Sequence, residues 1–342
     1  MEEATNMKVF MIGGTGLLGA EGARVLIEQG HEVATLSLPP IPEGSNLPEE
    51  MEITLGNYLT LTDDDIRKYL TGCDGFVFAA GVDERVEAPS PIYSFFEKYN
   101  ITPLERLLRI AKECGVKHSV VLGSYFAYFN RELPEYELTK HHPYIRNRVD
   151  QANMALSFGD DDMSVAVLEV PYVFGSQQGR KPVWVFLVEQ IQNMKEAVMY
   201  PEGGTTMVTA KQIGECIAGA LINGKTGNYP VGYYNMEWKE MLTIFHKYMG
   251  TPDKEIITIP ATNYIEAMKA KAEKQKSAGI ELGLDTAEFA KIFTKNLFID
   301  KKTIVDHFGV QPDDIEKAIG ESVQLSLDIL EGKKAVVDMK AE

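Results

Sequence analysis

The sequence predicts an α/β protein: a doubly wound parallel sheet with helices on both faces over residues 1–175, then a smaller C-terminal α/β lobe over residues 176–342. Two observations carry this. Short apolar runs alternate with segments of helical period from residue 9 onward. The first of these runs passes directly into closely spaced glycines and a helix. At 342 residues the chain can bury a large core, and its 44% hydrophobic and 25% charged content suits a soluble globular protein.

Residues 9–12, VFMI, read as a buried strand, and glycines follow at 13, 14, 16 and 19. Leu18, Gly22, Val25 and Leu26 then recur at the period of one helix face. In such a turn Gly13 permits the tight exit from the strand, Gly16 lets the backbone approach a diphosphate, and Gly19 lets the helix lie close to the sheet. The diphosphate would rest on free N–H groups at the positive end of the helix, so Leu17 and Leu18 join the three glycines as expected dinucleotide contacts. The spacing is GxxGxxG, not GxGxxG.

Residues 31–38 read as a second strand, with Gly30 closing the helix before it. An acidic residue commonly stands near its end to bind the ribose 2′-OH of NAD. Here the position falls to Ser37, which neither binds that hydroxyl as an acid would nor repels a 2′-phosphate. The expected cofactor is NADP or NAD, with a lean to NADP. Four prolines and a glycine make residues 38–50 a loop. Residues 52–55 form a short strand ending near Asn57 and Tyr58, Thr62 caps a helix begun by Asp63, Asp64 and Asp65, and residues 76–80 form a fourth strand. Ligands in doubly wound sheets bind outside the carboxyl ends of the strands. Gly13 to Gly19, Ser37, Asn57, Tyr58, Ala79, Ala80 and Gly81 all fall there. A helical segment over 91–114 ends at Gly115, and the strand over 118–122 opens into Ser124 and Tyr125.

A net charge of −16 and a pI near 4.9 argue against nucleic acid or an anionic membrane as the main partner, because phosphates need a basic footprint. The start, MEEATNMK, carries no secretory signal pattern, and no run approaches a membrane span of roughly 18 apolar residues. Cys73, Cys114 and Cys216 are odd in number and far apart, as in a reducing cytoplasm, where the protein is expected. Adjacent His141 and His142 are expected to be surface polar residues, and no metal site is expected.

These segments together resemble the extended or atypical short-chain dehydrogenase/reductases, the NAD(P)-dependent epimerase/dehydratase family. The matching stretches are GGTGLLG at 13–19, GFVFAAG at 75–81, YNITPLERLLRIAKECGVKHSVVLGSYFAY at 99–128 and VLEVPYVFG at 167–175. GGTTMVTAKQIGECIAGALINGKTGNYPVG at 203–232 and FIDKKTIVDHFGV at 298–310 complete them. The resemblance implies a Rossmann-like sheet, a small-molecule substrate such as a sugar nucleotide, and a homodimer formed through helices 91–114 and 144–156. It also implies a catalytic asparagine, serine, and tyrosine four residues before a lysine. The tyrosine moves a proton while nicotinamide exchanges a hydride, the lysine stabilises phenolate, and the serine bonds the reacting oxygen.

Asn100 and Ser124 match the first two positions, with Tyr125 beside them for substrate. For the tyrosine there are two candidates. Tyr136 with Lys140 keeps the literal YxxxK spacing, but His141, His142 and Pro143 follow at once, where proline would break the long helix the family uses. Tyr144 with Arg148 begins a proline-free helix with an apolar stripe at Val149, Ala152 and Leu156, and is preferred. Arginine in place of lysine keeps the charge, but its planar fork cannot place a compact ammonium between ribose and tyrosine. The competing expectation is thus a weakly active or non-catalytic dinucleotide-binding sensor or scaffold.

Residues 165–170 read as the sixth strand, and Pro171 and Val173 fall in the segment that passes the nicotinamide in the family. Residues 207–209 and 229–231 are expected to return strands to the main sheet. Arg180 and Lys181 are the local cations there; the resemblance implies that basic residues of this lobe, Arg180 first, grip a substrate diphosphate, and the alternative is plain surface charge. Val183, Phe186, Leu187 and Ile191 read as a packed helix face, with Trp184 as a pocket-lining candidate, and residues 261–276 as a solvated helix.

Overall fold

The computed structural model describes residues 6–337; the first five residues of the acidic N-terminal stretch lie outside it. The first six strands are β1 (Lys8–Ile12), β2 (Glu32–Ser37), β3 (Glu52–Leu55), β4 (Gly75–Phe78), β5 (His118–Ser124) and β6 (Ser164–Val170). After β7 (Tyr172–Phe174), β8 (Val198–Pro201) and β9 (Gly204–Thr209), the chain returns to the same sheet as β10 (Gly227–Pro230). The order is β10-β6-β5-β4-β1-β2-β3, and every pairing in it is parallel. Strand order reverses between β1 and β4, so the crevice at their carboxyl ends is the natural ligand site.

Alternation along β1 divides the core. Val9 and Met11 face one layer with Ala23, Leu26, Ile213 and Ile217, while Phe10 and Ile12 face the other with Ile66, Leu70, Leu104 and Leu108. The first layer holds helices Leu17–Glu28, Ala210–Asn223 and Lys302–Phe308. The second holds Asp63–Leu70, Thr102–Glu113 and Pro143–Leu156. Thr62 caps Asp63–Leu70 by accepting from the Asp65 N–H, as its sequence indicates.

The return to the sheet differs from expectation in one strand. Residues 207–209 belong to β9, which pairs with β7, β11 (Tyr234–Glu237) and β13 (Asn296–Leu297) in a separate four-stranded sheet. The physical reason lies at Thr209. Its hydroxyl forms a reciprocal capping box with Gln212, so the strand stops there and Ala210–Asn223 carries the chain back to β10. A further strand, β12 (Ile256–Ile259), pairs in parallel with β8. Phe174, Trp184, Trp238 and Phe245 centre the core of this second lobe. Leu187 and Ile191 are buried there, but Val183 and Phe186 are 41% and 51% exposed, so only part of that expected helix face packs. The helix Ala261–Ser277 has no buried residue. Among the described residues no helix is long and apolar enough to cross a membrane.

Helices Leu17–Glu28 and Ala210–Asn223 approach until backbone meets backbone. A Cβ at Gly214 would stand 2.6 Å from the Glu21 carbonyl oxygen, and one at Gly22 2.9 Å from Ile217. Gly214→Leu should therefore part the helices and lower the unfolding free energy by about 3 kcal/mol, read as a reduced urea midpoint at unchanged slope.

Candidate active site

The crevice is built from backbone at its floor. Gly13 takes φ +87° at the end of β1, and a Cβ on it would lie 2.4 Å from the Ala79 carbonyl oxygen beyond β4. The neighbouring Gly14 N–H donates to Thr35 Oγ1 at 2.9 Å, and that hydroxyl also contacts Ser37 Oγ at 3.2 Å. Ser37 is thus buried against the turn at the end of β2. Gly16 caps Leu17–Glu28 with no side-chain hydrogen bond, and no acid stands in the first helical turn. The positive helix end is therefore open to an anion. Tyr58 differs from a ligand-facing residue. It is buried edge-on to Phe78, and burial pushes its phenol up to about 12. Asn57, beside it, accepts from the Leu59 N–H.

The helix over 91–114 is interrupted by a π-turn, Glu97–Ile101, which carries Asn100. Asn100 Oδ1 accepts from the Val82 N–H at 2.8 Å, and Nδ2 donates to the Val82 carbonyl at 3.0 Å and to Asn147 Oδ1 at 3.1 Å. Its own carbonyl accepts from Gln151 Nε2 at 2.7 Å. With its side chain so engaged, Asn100 positions the loop after β4 against the helix Pro143–Leu156.

Tyr144 and Arg148 lie one turn apart on that helix, with the guanidinium carbon 5.8 Å from the ring centroid. Both are buried. Ser124, at the end of β5, lies near enough to the Tyr144 phenol to favour its ionised form, while Arg148 Nη2 donates to the Leu122 carbonyl at 2.8 Å. Burial raises the Tyr144 phenol well above its ordinary range and Glu84 and Asp83 add to that, whereas Arg148 and Ser124 pull it down. Tyr136 and Lys140 are placed otherwise. Glu137 between them takes φ 44°, so a 3-10 turn and a short separate helix replace one continuous helix. Lys140 pairs with Glu137 at 3.1 Å, and Tyr136 sits under Lys295.

Several side chains here carry no local signal in the sequence. Glu84, half-buried in the loop after Gly81, carries a charge that acts on Tyr144, Tyr125 and Tyr172 and is itself acted on by Arg148, and burial raises its carboxyl above the usual range. Its place beyond β4, a strand ending at the crevice, was the one available hint. Arg85 pairs with Asp83 and donates to the Val183 carbonyl at 3.3 Å, joining this loop to the second lobe. Tyr125 is buried with its hydroxyl 3.1 Å from Thr205 Oγ1, and Pro171 is buried with Val173 beside it half-buried. Trp184 stacks on Phe174 at 4.2 Å and donates to the Val173 carbonyl, which makes it core and not pocket lining. Arg180, far from a surface charge, lies with Nη2 3.3 Å from Thr15 Oγ1 in the glycine turn, while Lys181 is exposed.

The sheet, its glycine turn and the Tyr144 helix define an α/β protein of the dinucleotide-binding type. The model of the NAD dependent epimerase/dehydratase family matches residues 9–208, more than half of the chain, and the protein belongs to that family. No curated protein matches the chain in sequence. Among solved structures it is similar to gox2253, with 18% identity and a TM-score of 0.74 over 96% of this chain and all of that one. The UDP-N-acetylglucosamine 4-epimerase of Methanobrevibacter ruminantium M1, in complex with UDP-N-acetylmuramic acid, aligns at 16% identity and TM-score 0.66, covering 95% of this chain and 99% of its own. MoeE5 in complex with UDP-glucose and NAD aligns at 14% identity and TM-score 0.64, covering 94% and 99%.

The histidine pair corrects the sequence reading. His142 is fully buried at the start of the Tyr144 helix, where Nδ1 accepts from the Asp285 N–H at 3.0 Å. Burial in this apolar pocket holds its pKa down at about 4, against 6.5 ordinarily, so it is neutral in the native protein. The unfolded chain takes up this proton first. The stability contributed by neutral His142 is therefore fully present above pH 6.5 and is lost as pH falls towards 4. Between pH 7 and 5 that loss should be about 2 kcal/mol in urea unfolding. In His142→Gln, which cannot titrate, the decline should be smaller by that amount; equal declines would contradict the assignment.

Proposed function

We propose that the protein is an NAD(P)-dependent oxidoreductase, epimerase or dehydratase acting on a sugar nucleotide or a similar hydroxyl or carbonyl compound. The observation that carries this is the placement of the Tyr144 phenol by Ser124 at the carboxyl end of β5, with Arg148 one helical turn away. The open helix start at Gly16 and the absence of side-chain bulk at Gly13 fit a dinucleotide diphosphate. Sugar nucleotides bound to relatives of the same fold support the substrate class. Ser37, with no carboxylate to oppose a 2′-phosphate, supports NADP at least as well as NAD.

A bound nicotinamide would supply or accept the hydride. The chain's residues then manage the proton. Tyr144, a neutral phenol, donates to a carbonyl oxygen of the substrate, and Ser124 holds that oxygen by a second hydrogen bond. Arg148 faces the phenolate left behind, and the Leu122 carbonyl fixes the direction of its fork. In the reverse sense the same groups draw a proton from a hydroxyl. Two copies are proposed to associate through the helices around 92–113 and Pro143–Leu156, where Arg146 lies over the Tyr93 ring at 4.1 Å near the surface; light scattering tests this.

Tyr144→Phe should lower kcat with a sugar nucleotide by roughly a hundredfold or more while leaving dinucleotide affinity within about threefold. Ser124→Ala should lower it by about a hundredfold. Full activity in Tyr144→Phe with loss in Tyr136→Phe would move the role to Tyr136. Dinucleotide binding without turnover across a panel of sugar nucleotides and carbonyl compounds would favour a non-catalytic binder.

A further inference from the structure

A cation from the second lobe is buried at the glycine turn without a counter-charge among the described residues. Arg180 is 8% exposed, and its Nε and Nη1 atoms have no hydrogen-bond partner among the described residues. Its Nη2 donates to Thr15, a residue 1% exposed, and burial lowers its pKa, with no carboxylate paired to it among the described residues. Gln177, in the same turn, is 6% exposed, and both its amide atoms are unpartnered among the described residues. A buried charge without a partner is costly, and a buried amide lacking every hydrogen bond adds to that cost. Such groups persist where a ligand completes them.

The backbone explains how they reach this place. Gly179 packs directly on Pro42, its neighbour Gln178 offers a carbonyl to Ser45 Oγ at 3.5 Å, and the Gly179 carbonyl accepts from the Val337 N–H at 2.9 Å. The turn over 177–180 is therefore strapped to the loop that follows β2, on the flank of the glycine turn. Beneath it lies the start of Leu17–Glu28, which has neither a side-chain cap nor an acid in its first turn. The helix start and the Arg180 guanidinium thus meet at Thr15, with Gln177 in the same 177–180 turn.

We propose that Arg180 and Gln177 form a clamp on the cofactor diphosphate, so that the second lobe binds the dinucleotide as well as the substrate. This rests on the dinucleotide reading above and reassigns Arg180 from the substrate diphosphate to the cofactor. The guanidinium fork meets a phosphate in two parallel hydrogen bonds, and the Gln177 amide offers a further donor. Filling the clamp would also pin the 177–180 turn and couple the placement of the second lobe to dinucleotide binding.

The test is calorimetric titration of the full chain with ADP-ribose, adenosine and UDP. In Arg180→Met the affinity for ADP-ribose should fall roughly ten- to hundredfold, since a charge-assisted pair is lost, while adenosine and UDP affinities stay within about twofold. The same variant should melt at or above the wild-type temperature without ligand, because an unpaired buried charge has been replaced by an apolar chain of similar length. Arg180→Lys should recover part of the ADP-ribose affinity. Unchanged ADP-ribose affinity in Arg180→Met overturns the clamp, as does a loss confined to UDP. Failure of the wild-type chain to bind ADP-ribose, NAD or NADP overturns the dinucleotide reading itself, an outcome separate from either.

Discussion

The close approach of Gly13 to the Ala79 carbonyl is the constraint on which the site depends. It brings the ends of β1 and β4 together at the point where strand order reverses, and it holds only while residue 13 has no side chain. Gly19 extends the same constraint to the helix, since a Cβ there would stand 2.3 Å from the Gly13 carbonyl oxygen. Strand, turn and helix are therefore one rigid unit. The loop after β4 begins at its edge, and through Asn100 that loop is tied to the helix carrying Tyr144 and Arg148. The glycine turn and the Tyr144–Arg148 pair are consequently set by one chain of backbone contacts and buried amides.

Much of this was legible because it is local. The strands of the main sheet stand within one or two residues of their apolar runs, and Thr62, Gly30 and Gly115 mark helix ends by chemistry that operates over a single turn. What was not legible depends on partners distant in sequence. Residues 204–209 look like any buried strand, and nothing within them says which sheet they join. His142 reads as polar until the Asp285 N–H, on a segment far along the chain, closes over it. Glu84 becomes a neighbour of Tyr144 only when the π-turn at Asn100 fixes the loop. Arg180 and Lys181 are alike in sequence, yet one is buried at the glycine turn and the other faces solvent, because Gly179 lets the backbone lie against Pro42.

The charge distribution follows a related logic. Across a chain of net charge −16, arginines usually find carboxylates, as Arg131 does in its bidentate pair with the buried Glu169. Among the described residues Arg180 does not, and Arg148 forms no salt bridge either, its Nη2 donating instead to the Leu122 carbonyl. Guanidinium groups left unpaired in an acidic protein are conspicuous. Both stand at the carboxyl ends of the main sheet, where an anionic ligand would supply the missing charge.

On the proposed assignment of Tyr144 and Arg148, an arginine in place of the family lysine alters more than shape. A lysine ammonium is a compact charge that turns freely towards a phenolate or a ribose hydroxyl, whereas the Arg148 fork is planar and already committed by one arm to Leu122. Its field at Tyr144 is further offset by Glu84 and Asp83, both of which raise the phenol that Arg148 lowers. Burial adds to the same side of the balance. Unliganded Tyr144 is therefore protonated at neutral pH and suited to giving a proton to a carbonyl, while taking one from a hydroxyl first requires the phenol to ionise. Protonation of Glu84, itself favoured by burial, removes one of the charges that oppose ionisation. The proton inventory of Tyr144 is thus coupled to a carboxylate on the loop beyond β4, a coupling that the spacing of tyrosine and basic residue along one helix does not reveal.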